Sequence, residues 1–381
     1  MKITCIQENL NKALLHSSRI ISLRSSLPIL DNVLFATDQG RLKISATDLE
    51  LGINYWIGAK IEQDGSIAIP SRLITEFISN IKEEKINIKV EGTEIVINGE
   101  KYNATIKGVN PEDFPSIPDI SKEFLFSISS KDLLNAINQV AFSAAADSTR
   151  PILSGIFFKI EKDILKMAAT DSYRLAEKKI KVLKSDKSSK SFIIPTRTIT
   201  EVGKILKDAG EKIDICFDEN QILFNFGSIH LISRLIDGQY PNYEQIIPTE
   251  FENEVVVDKQ ELFNVCKVAS LFARESANSI KINVKPDKIK EGKESKDEKE
   301  GSGVLSITGQ GVQIGESISK IPIKTKGKEI EVSFNAKYIL DVLPNIPEKN
   351  VEIKFSGPIN PGLIKGENKQ DYLYVIMPLR N

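Results

Sequence analysis

Ala46-Thr47-Asp48 returns as Ala169-Thr170-Asp171, 123 residues later. The interval recurs. Pro28-Ile29-Leu30 is answered by Pro151-Ile152-Leu153 at the same spacing. Ile69-Pro70-Ser71-Arg72 is answered by Ile194-Pro195-Thr196-Arg197, and Phe114-Pro115 by Tyr240-Pro241, at spacings of 125 and 126. A chain that repeats its punctuation at a near-constant period is built from repeated units. A third, more diverged copy follows. Leu262 stands where Leu10 and Leu133 stand, and Phe334-Asn335-Ala336-Lys337 answers the two Pro-x-Arg segments, with Lys337 in the place of Arg72 and Arg197. The 381 residues are too many for one ordinary core, and the repeat divides them into units at 1–120, 121–249 and 250–381.

Within each unit the periodicity reads helix, strands, helix, strands. The first helices are expected over 7–21, 130–145 and 258–273, with Leu10, Leu133 and Leu262 turned inward. The second begin at the Pro-x-Arg segments and over 334–343. Short alternating runs at 33–37, 42–47, 55–57, 86–90, 94–98 and 101–107 read as strands, with Gln39-Gly40 a turn. Two helices cannot cover both faces of so many strands. The expected fold is therefore α+β, with each helix pair on one face of antiparallel sheet. Three such units in series leave an open edge strand at each end, which pairing with a second copy would cover. Asp48 and Asp171 fit turns in which the carboxylate bonds its own backbone. Residues 285–303, dense in Lys, Glu and Gly, are expected to form a mobile surface insertion.

Catalytic patterns are sparse. The chain has two histidines, His16 and His230, and neither has a Ser or Cys partner with an orienting acid. The three cysteines, Cys5, Cys216 and Cys266, have no metal-ligand spacing and read as isolated thiols of a reducing compartment. Gly309-Gln310-Gly311 with Gly315 reads as a hairpin turn, not a dinucleotide fingerprint. No cofactor and no metal are expected. There is no signal-peptide pattern and no membrane-length apolar run, so the expectation is a soluble cytoplasmic protein.

Net charge is −1, so any basic surface must be local. Lys12, Arg19, Arg72, Arg197, Lys204, Lys207, Lys267 and Lys337 all fall on the paired helices or at their ends. Solvated helix faces account for charged residues too, and Glu76, Glu201 and Asp341 share these segments. If the repeated helix pairs face a common axis, however, the basic residues add up to a positive lining that contacts phosphate without reading bases. These helices carry no aromatic platforms, which favours duplex over single strands.

Several motifs resemble one family, the bacterial DNA polymerase III β subunits or sliding clamps. They are Arg24-Ser-Ser-Leu-Pro-Ile-Leu, Thr149-Arg-Pro-Ile-Leu-Ser-Gly, Ala169-Thr-Asp-Ser-Tyr-Arg-Leu, Leu235-Ile-Asp-Gly-Gln-Tyr-Pro-Asn-Tyr, Phe334-Asn-Ala-Lys-Tyr-Ile-Leu-Asp-Val-Leu and Tyr374-Val-Ile-Met-Pro-Leu-Arg, in order over the whole chain. The resemblance implies a head-to-tail homodimeric ring of six domains, with helices lining the hole. Such a ring has no catalytic activity. It encircles double-stranded DNA without sequence preference and tethers the replicative polymerase, the clamp loader and other proteins carrying a clamp-binding motif. For DNA the resemblance points to Arg24, Arg72 and Arg197. The partner-peptide pocket it implies comprises Leu153, Thr170, Ser172, Tyr173, Arg174, Leu175, Pro241, Ile246, Ser356, Val375, Ile376, Met377, Pro378, Leu379 and Arg380. Leu, Ile, Met and Pro make an adaptable apolar cleft for a peptide bound at about −8 kcal/mol, in the micromolar range. For the subunit contact it implies Leu271 and Phe272 against Thr105 and Ile106. Ser172-Tyr173 stands where many members have Gly-His, and Gln245 where some have Arg, which leaves those contacts open. A peptide-binding scaffold that never encircles DNA and a hydrolase with an unrecognised carboxylate site remain as alternatives.

Overall fold

The computed structural model describes residues 1–21, 27–121, 123–147, 149–287 and 301–379. Six α-helices lie among them: α1 (Gln7–Ser18), α2 (Ser71–Asn80), α3 (Ser130–Val140), α4 (Thr196–Ile205), α5 (Lys259–Phe272) and α6 (Ala336–Val342). They pack in consecutive pairs, α1 on α2, α3 on α4 and α5 on α6. Each pair turns an apolar stripe onto strands. Leu10, Ala13 and Leu14 of α1, Ile74 and Ile78 of α2, and Leu133, Ile137 and Val140 of α3 are buried, as are Ile199, Val202, Leu262, Cys266, Ala269, Ile339 and Val342. Each fully buried Leu or Ile contributes about 1.5–3 kcal/mol. The stripes therefore hold the helices in place far more than helix propensity does.

The expected helices run longer than the observed ones. The stretch 130–145 stays α-helical only to Val140 and tightens into a 3₁₀ turn at Ala141–Ser143. Pro70 and Pro195 stand one position before their helices rather than inside them. His16 on α1 is buried.

The strands form two large antiparallel sheets, and each crosses a unit boundary. In the first sheet, Leu51–Gln63 of the first unit pairs with Ile229–Arg234 of the second, with Ile53 opposite Leu231. In the second sheet, Arg174–Lys181 of the second unit pairs with Tyr372–Ile376 of the third, with Leu175 opposite Val375. The units are thus welded by main-chain hydrogen bonds at both boundaries. Asn103–Lys107 ends the first sheet, bonded on one side to Glu94–Asn98. At the far end of the chain, Gly315–Lys326 meets Asn253–Asp258 only over Glu254–Val256. Its first three-quarters are therefore open on that side among the described residues.

The marker turns repeat in atomic detail. Asp48 Oδ1 accepts from the N–H groups of Glu50 and Leu51 at 3.1 and 2.8 Å, and Asp171 Oδ1 from those of Tyr173 and Arg174 at 2.9 and 3.0 Å. Thr47 and Thr170 hydroxyls each accept from the second residue on, at 3.0 and 3.1 Å. The next position has a left-handed backbone in both, Leu49 at φ 77° and Ser172 at φ 80°, a conformation that glycine adopts at least cost. Gln39-Gly40 is the expected two-residue hairpin turn, both at positive φ. Gly311 to Gly315 joins the paired strands Gly301–Gly311 and Gly315–Lys326, as expected for a hairpin. Of the expected insertion 285–303, Lys285, Pro286 and 301–303 belong to paired strands, and 288–300 lie outside the described residues.

Candidate partner groove and nucleic-acid face

The second boundary brings most of the expected pocket residues to one seam. Leu153, Leu175 and Val375 join Tyr240 and Tyr243 in a small apolar cluster separate from the main core. The Met377 N–H donates to the Tyr173 carbonyl at 2.9 Å and extends the inter-unit ladder by one rung. Leu379 N–H donates to the Ser333 carbonyl at 2.8 Å, which ties the tail to the third unit. Above the cluster stand exposed Tyr173, Pro241, Ile246 and Met377 and half-exposed Pro378. The residues therefore divide by depth. Thr170, Leu175 and Val375 are buried and form the floor, Ile376 turns to the opposite face of its strand and joins the main core, and the rim offers movable apolar side chains to an incoming segment. Ser356 sits apart in its bonding, its hydroxyl donating to the Glu250 carbonyl at 2.6 Å. Ser172 Oγ accepts from Arg150 Nη1 at 3.0 Å.

Arg174 has a different place from the one its charge suggests. Its Nε donates to Asp171 Oδ2 at 2.9 Å and its Nη1 to Asp341 Oδ2 of α6 at 2.6 Å. Its guanidinium lies 4.7 Å from the Tyr338 ring centroid. This side chain is a strut between the second and third units, with little capacity left to orient a peptide. Burial and the facing Glu177 push the Tyr243 hydroxyl well above the usual phenol range, and its proton is donated to Glu177 Oε2 at 2.7 Å. A cavity of about 440 Å³ lies beside the seam, walled by Phe157, Phe192 and residues 238–244. It touches only Pro241 of the expected set.

The basic residues also divide. Lys12 pairs with Glu8 at 2.8 Å, Arg72 with Glu76 at 3.0 Å and Lys204 with Glu201 at 2.7 Å, all within one helix. The exposed Lys12–Glu8 and Arg72–Glu76 pairs contribute only about 0.3–0.5 kcal/mol, so phosphate can displace them, whereas Glu201 is buried and holds Lys204 more firmly. Arg19, Lys207, Lys267 and Lys337 are exposed and make no ion pair among the described residues. Arg197 instead crosses the first boundary. Its Nη1 bonds Asp48 Oδ2 and its Nη2 the Ile20 carbonyl at 2.7 Å. Both Arg197 and Arg174 therefore tie the aspartate of a marker turn to a neighbouring unit. Arg24 and Arg380 lie outside the described residues.

At the open edges, Thr105 faces outward and Ile106 inward, as strand alternation requires. Leu271 is exposed at the end of α5 and Phe272 half-buried. Further apolar side chains of the third unit are exposed. Val312 is 96% exposed, and Val268, Ile314 and Ile318 are exposed beside it in the chain's third unit. An apolar pair inside a glycine-bounded turn, Gly311-Val312-Gln313-Ile314-Gly315, was the available signal.

Both histidines and all three cysteines are shifted away from their ordinary titration ranges. His16 and His230 are both held below the ordinary imidazole range, chiefly by burial. Burial pushes the Cys5 and Cys266 thiols up to about 12 and Cys216 to about 11, so none is a thiolate near neutrality. Among the described residues no group of three His, Cys, Asp or Glu side chains could hold a metal ion.

Comparison with known proteins matches this architecture unit by unit. The family models for the DNA polymerase III beta subunit match as N-terminal domain over 1–118, central domain over 127–242 and C-terminal domain over 299–380. The beta sliding clamp of Bacillus subtilis (strain 168) is 29% identical over 391 aligned residues, covering 100% of both chains. That of Synechococcus elongatus is 26% identical, covering 100% of this chain and 99% of the other. The crystal structure of the DNA polymerase sliding clamp from Bacillus subtilis superposes with a TM-score of 0.92 at 28% identity, covering 100% of this chain and 99% of that one. The Thermotoga maritima DNA polymerase III beta subunit shares the fold, with a TM-score of 0.90 at 24% identity and the same coverage. Since the three models fall one on each repeat unit and together match most of the chain, the threefold architecture is that of the DNA polymerase III beta subunit, and this chain belongs to that family of beta sliding clamps.

Proposed function

We propose that this protein is a DNA sliding clamp, a non-catalytic processivity factor that holds the replicative polymerase on duplex DNA. The observation that carries the reading is the arrangement of its two kinds of surface. Every helix pair turns its apolar stripe onto the sheets and leaves exposed basic residues on its other side, and open sheet edges lie in the first and third units. Two copies joined edge to edge, head to tail, close a ring of six domains, divided in each chain at 1–120, 121–249 and 250–381. A heterologous contact that closes makes a ring rather than a filament. In such a ring topology replaces affinity: the lining can bind phosphate weakly, slide, and still not release. Lys12, Arg19, Arg72, Lys204, Lys207, Lys267 and Lys337 supply the lining.

The seam between the second and third units receives the partner's peptide. Tyr173, Pro241, Ile246, Met377 and Pro378 grip it over a floor of Leu153, Leu175 and Val375. The polymerase, the clamp loader and other clamp-binding proteins share this one groove and exchange on it. No helix among the described residues is long and apolar enough to cross a membrane, and we place the protein in the cytoplasm. Primer extension on a primed circle tests the function. With clamp loader and polymerase present, the protein should lengthen the products, and removal of the tail from Met377 onward should abolish the effect. Products of unchanged length in the presence of the intact protein would contradict it.

A further inference from the structure

The internal repeat permits a comparison of each unit with its siblings, and one feature breaks the pattern. Where the second helix of a unit ends, the first helix begins beside it. The backbone contact is the same in all three units: the N–H groups of Gln7, Ser130 and Lys259 donate to the carbonyls of Glu84, Glu211 and Lys349 at 3.1, 2.9 and 2.9 Å. In the first unit the Gln7 side chain then reaches across the gap, its Nε2 donating to the Ile78 and Ile81 carbonyls at 2.6 and 3.2 Å. In the third, Lys259 Nζ donates to the Ile346 carbonyl at 2.5 Å. These straps close the gap and satisfy carbonyls that a helix end leaves without partners.

Ser130 holds the equivalent position in the second unit and is too short to reach. The returning loop is also longer there. Four residues separate Leu206 from Glu211, against two between Ile81 and Glu84 and two between Ile346 and Lys349. A cleft of about 760 Å³ stands in place of the strap. Its apolar floor includes Leu134, Leu206 and Leu183, the last 61% exposed. Lys131, Lys207 and Lys212 surround it, against the one acid Glu211, and none of the three lysines makes an ion pair among the described residues. Ser130 lines the cleft at the start of the eleven-residue α3. Its buried Oγ has no hydrogen-bond partner.

We infer that this cleft is a second docking site, for a partner segment that carries acidic side chains next to apolar ones. The acid meets Lys131 and Lys212 and the positive end of α3, and accepts from Ser130 Oγ. The apolar neighbours cover Leu134, Leu183 and Leu206. Phosphate would use the lysines but leave the leucines exposed, which is why a polypeptide fits better than DNA. The cleft lies at the opposite end of α4 from Arg197 and shares no residue with the partner groove, so a protein held there can be present while the groove is occupied.

The repeat itself supplies the test. Ser130→Gln restores the strap of the first unit, and Lys131→Glu with Lys212→Glu reverses the charge without filling the cleft. The probe is a fluorescein-labelled peptide of alternating glutamate and leucine, titrated against the full-length protein by fluorescence anisotropy, with a lysine–leucine peptide as charge control. The wild-type protein should bind the acidic peptide in the micromolar range. Either variant should weaken it by about tenfold or more, a change of about 1.4 kcal/mol. Removing the tail from Met377 onward should leave it unchanged. Three results would overturn the inference: equal binding by both variants, equal binding of the lysine–leucine peptide, or loss of binding on removing the tail. Displacement of the peptide by duplex DNA at equal concentration would assign the lysines to DNA instead.

Discussion

Arg174 Nη1 donates to Asp341 Oδ2 at 2.6 Å, a bond from the second unit to α6 of the third. Both side chains are largely buried, and the same guanidinium also holds Asp171 at 2.9 Å. Removing one member of a buried pair leaves its partner's charge uncompensated, which costs about 3–5 kcal/mol when burial is complete. Asp341 is partly exposed, so Arg174→Ala should lower unfolding free energy by about 2–3 kcal/mol in urea. Arg174→Lys should recover little of it, because an ammonium cannot serve two carboxylates in a fixed fork. Unchanged stability in Arg174→Ala would remove the strut from the account.

Asp48 makes the corresponding tie at the first boundary. It has two jobs that substitution can separate. Asp48→Asn keeps an oxygen to accept from the Glu50 and Leu51 N–H groups but removes the charge that holds Arg197. The freed guanidinium should add about one phosphate contact, which steepens the salt dependence of duplex binding by about 0.9 in log–log slope. Lys337→Ala should flatten it by a similar amount. Affinity measured across a series of salt concentrations checks both, and an unaltered slope in Asp48→Asn would mean that Arg197 does not reach DNA.

Buried His16 and half-buried His230 make stability depend on pH with a definite sign. Burial, aided by Arg19, lowers His16 in the folded state, against the opposing pull of Asp208, and burial likewise lowers His230. The unfolded chain therefore binds these protons more readily. The contribution is fully present above the unfolded value of about 6.5, and is lost as pH falls through the lower folded value. Thermal midpoints should drop between pH 7 and 5, and His16→Gln should show a shallower drop. A midpoint that rises on acidification over this range would contradict the burial of His16.

The open edges predict an assembly that one face controls. Leu271→Arg places a charge at the end of α5 in the third unit, which also exposes Val268, Val312, Ile314 and Ile318. A hot-spot residue near the centre of an interface contributes about 2 kcal/mol or more, roughly a thirtyfold change in dissociation constant, and a charge introduced there adds a desolvation cost. Sedimentation velocity at micromolar concentration should show the wild type as a dimer and Leu271→Arg as a monomer. A variant that remains dimeric would place the contact elsewhere.

Ala46-Thr47-Asp48 and Ala169-Thr170-Asp171 made the repeat legible because turn chemistry is local: each side chain bonds backbone two or three residues away. Helix stripes were legible for the same reason. Longer-range partners were not. The strand expected at 55–57 is the middle of Leu51–Gln63, whose first half is buried on both faces and therefore lacks the alternation that marks a strand. Arg197 read as a DNA-lining residue and Arg174 as a pocket residue, since nothing nearby in the chain announces that Asp48 and Asp341 will face them. Val375 and Leu175 looked like pocket walls and are its floor, because the pairing of Arg174–Lys181 with Tyr372–Ile376 buries both. Ser130 carried no signal at all until Gln7 and Lys259 showed what its siblings do.

Encirclement is the claim on which the functional reading rests, and retention on circular DNA measures it directly. The protein is loaded by a clamp loader onto a nicked circular duplex, washed at high salt to suppress phosphate contacts, and then released by a single-site nuclease that linearises the circle. The ring predicts that the protein stays on the circle through the wash and leaves promptly after cleavage, with blocked DNA ends restoring retention. Loss from the intact circle at high salt, or equal retention before and after cleavage with free ends, would contradict it.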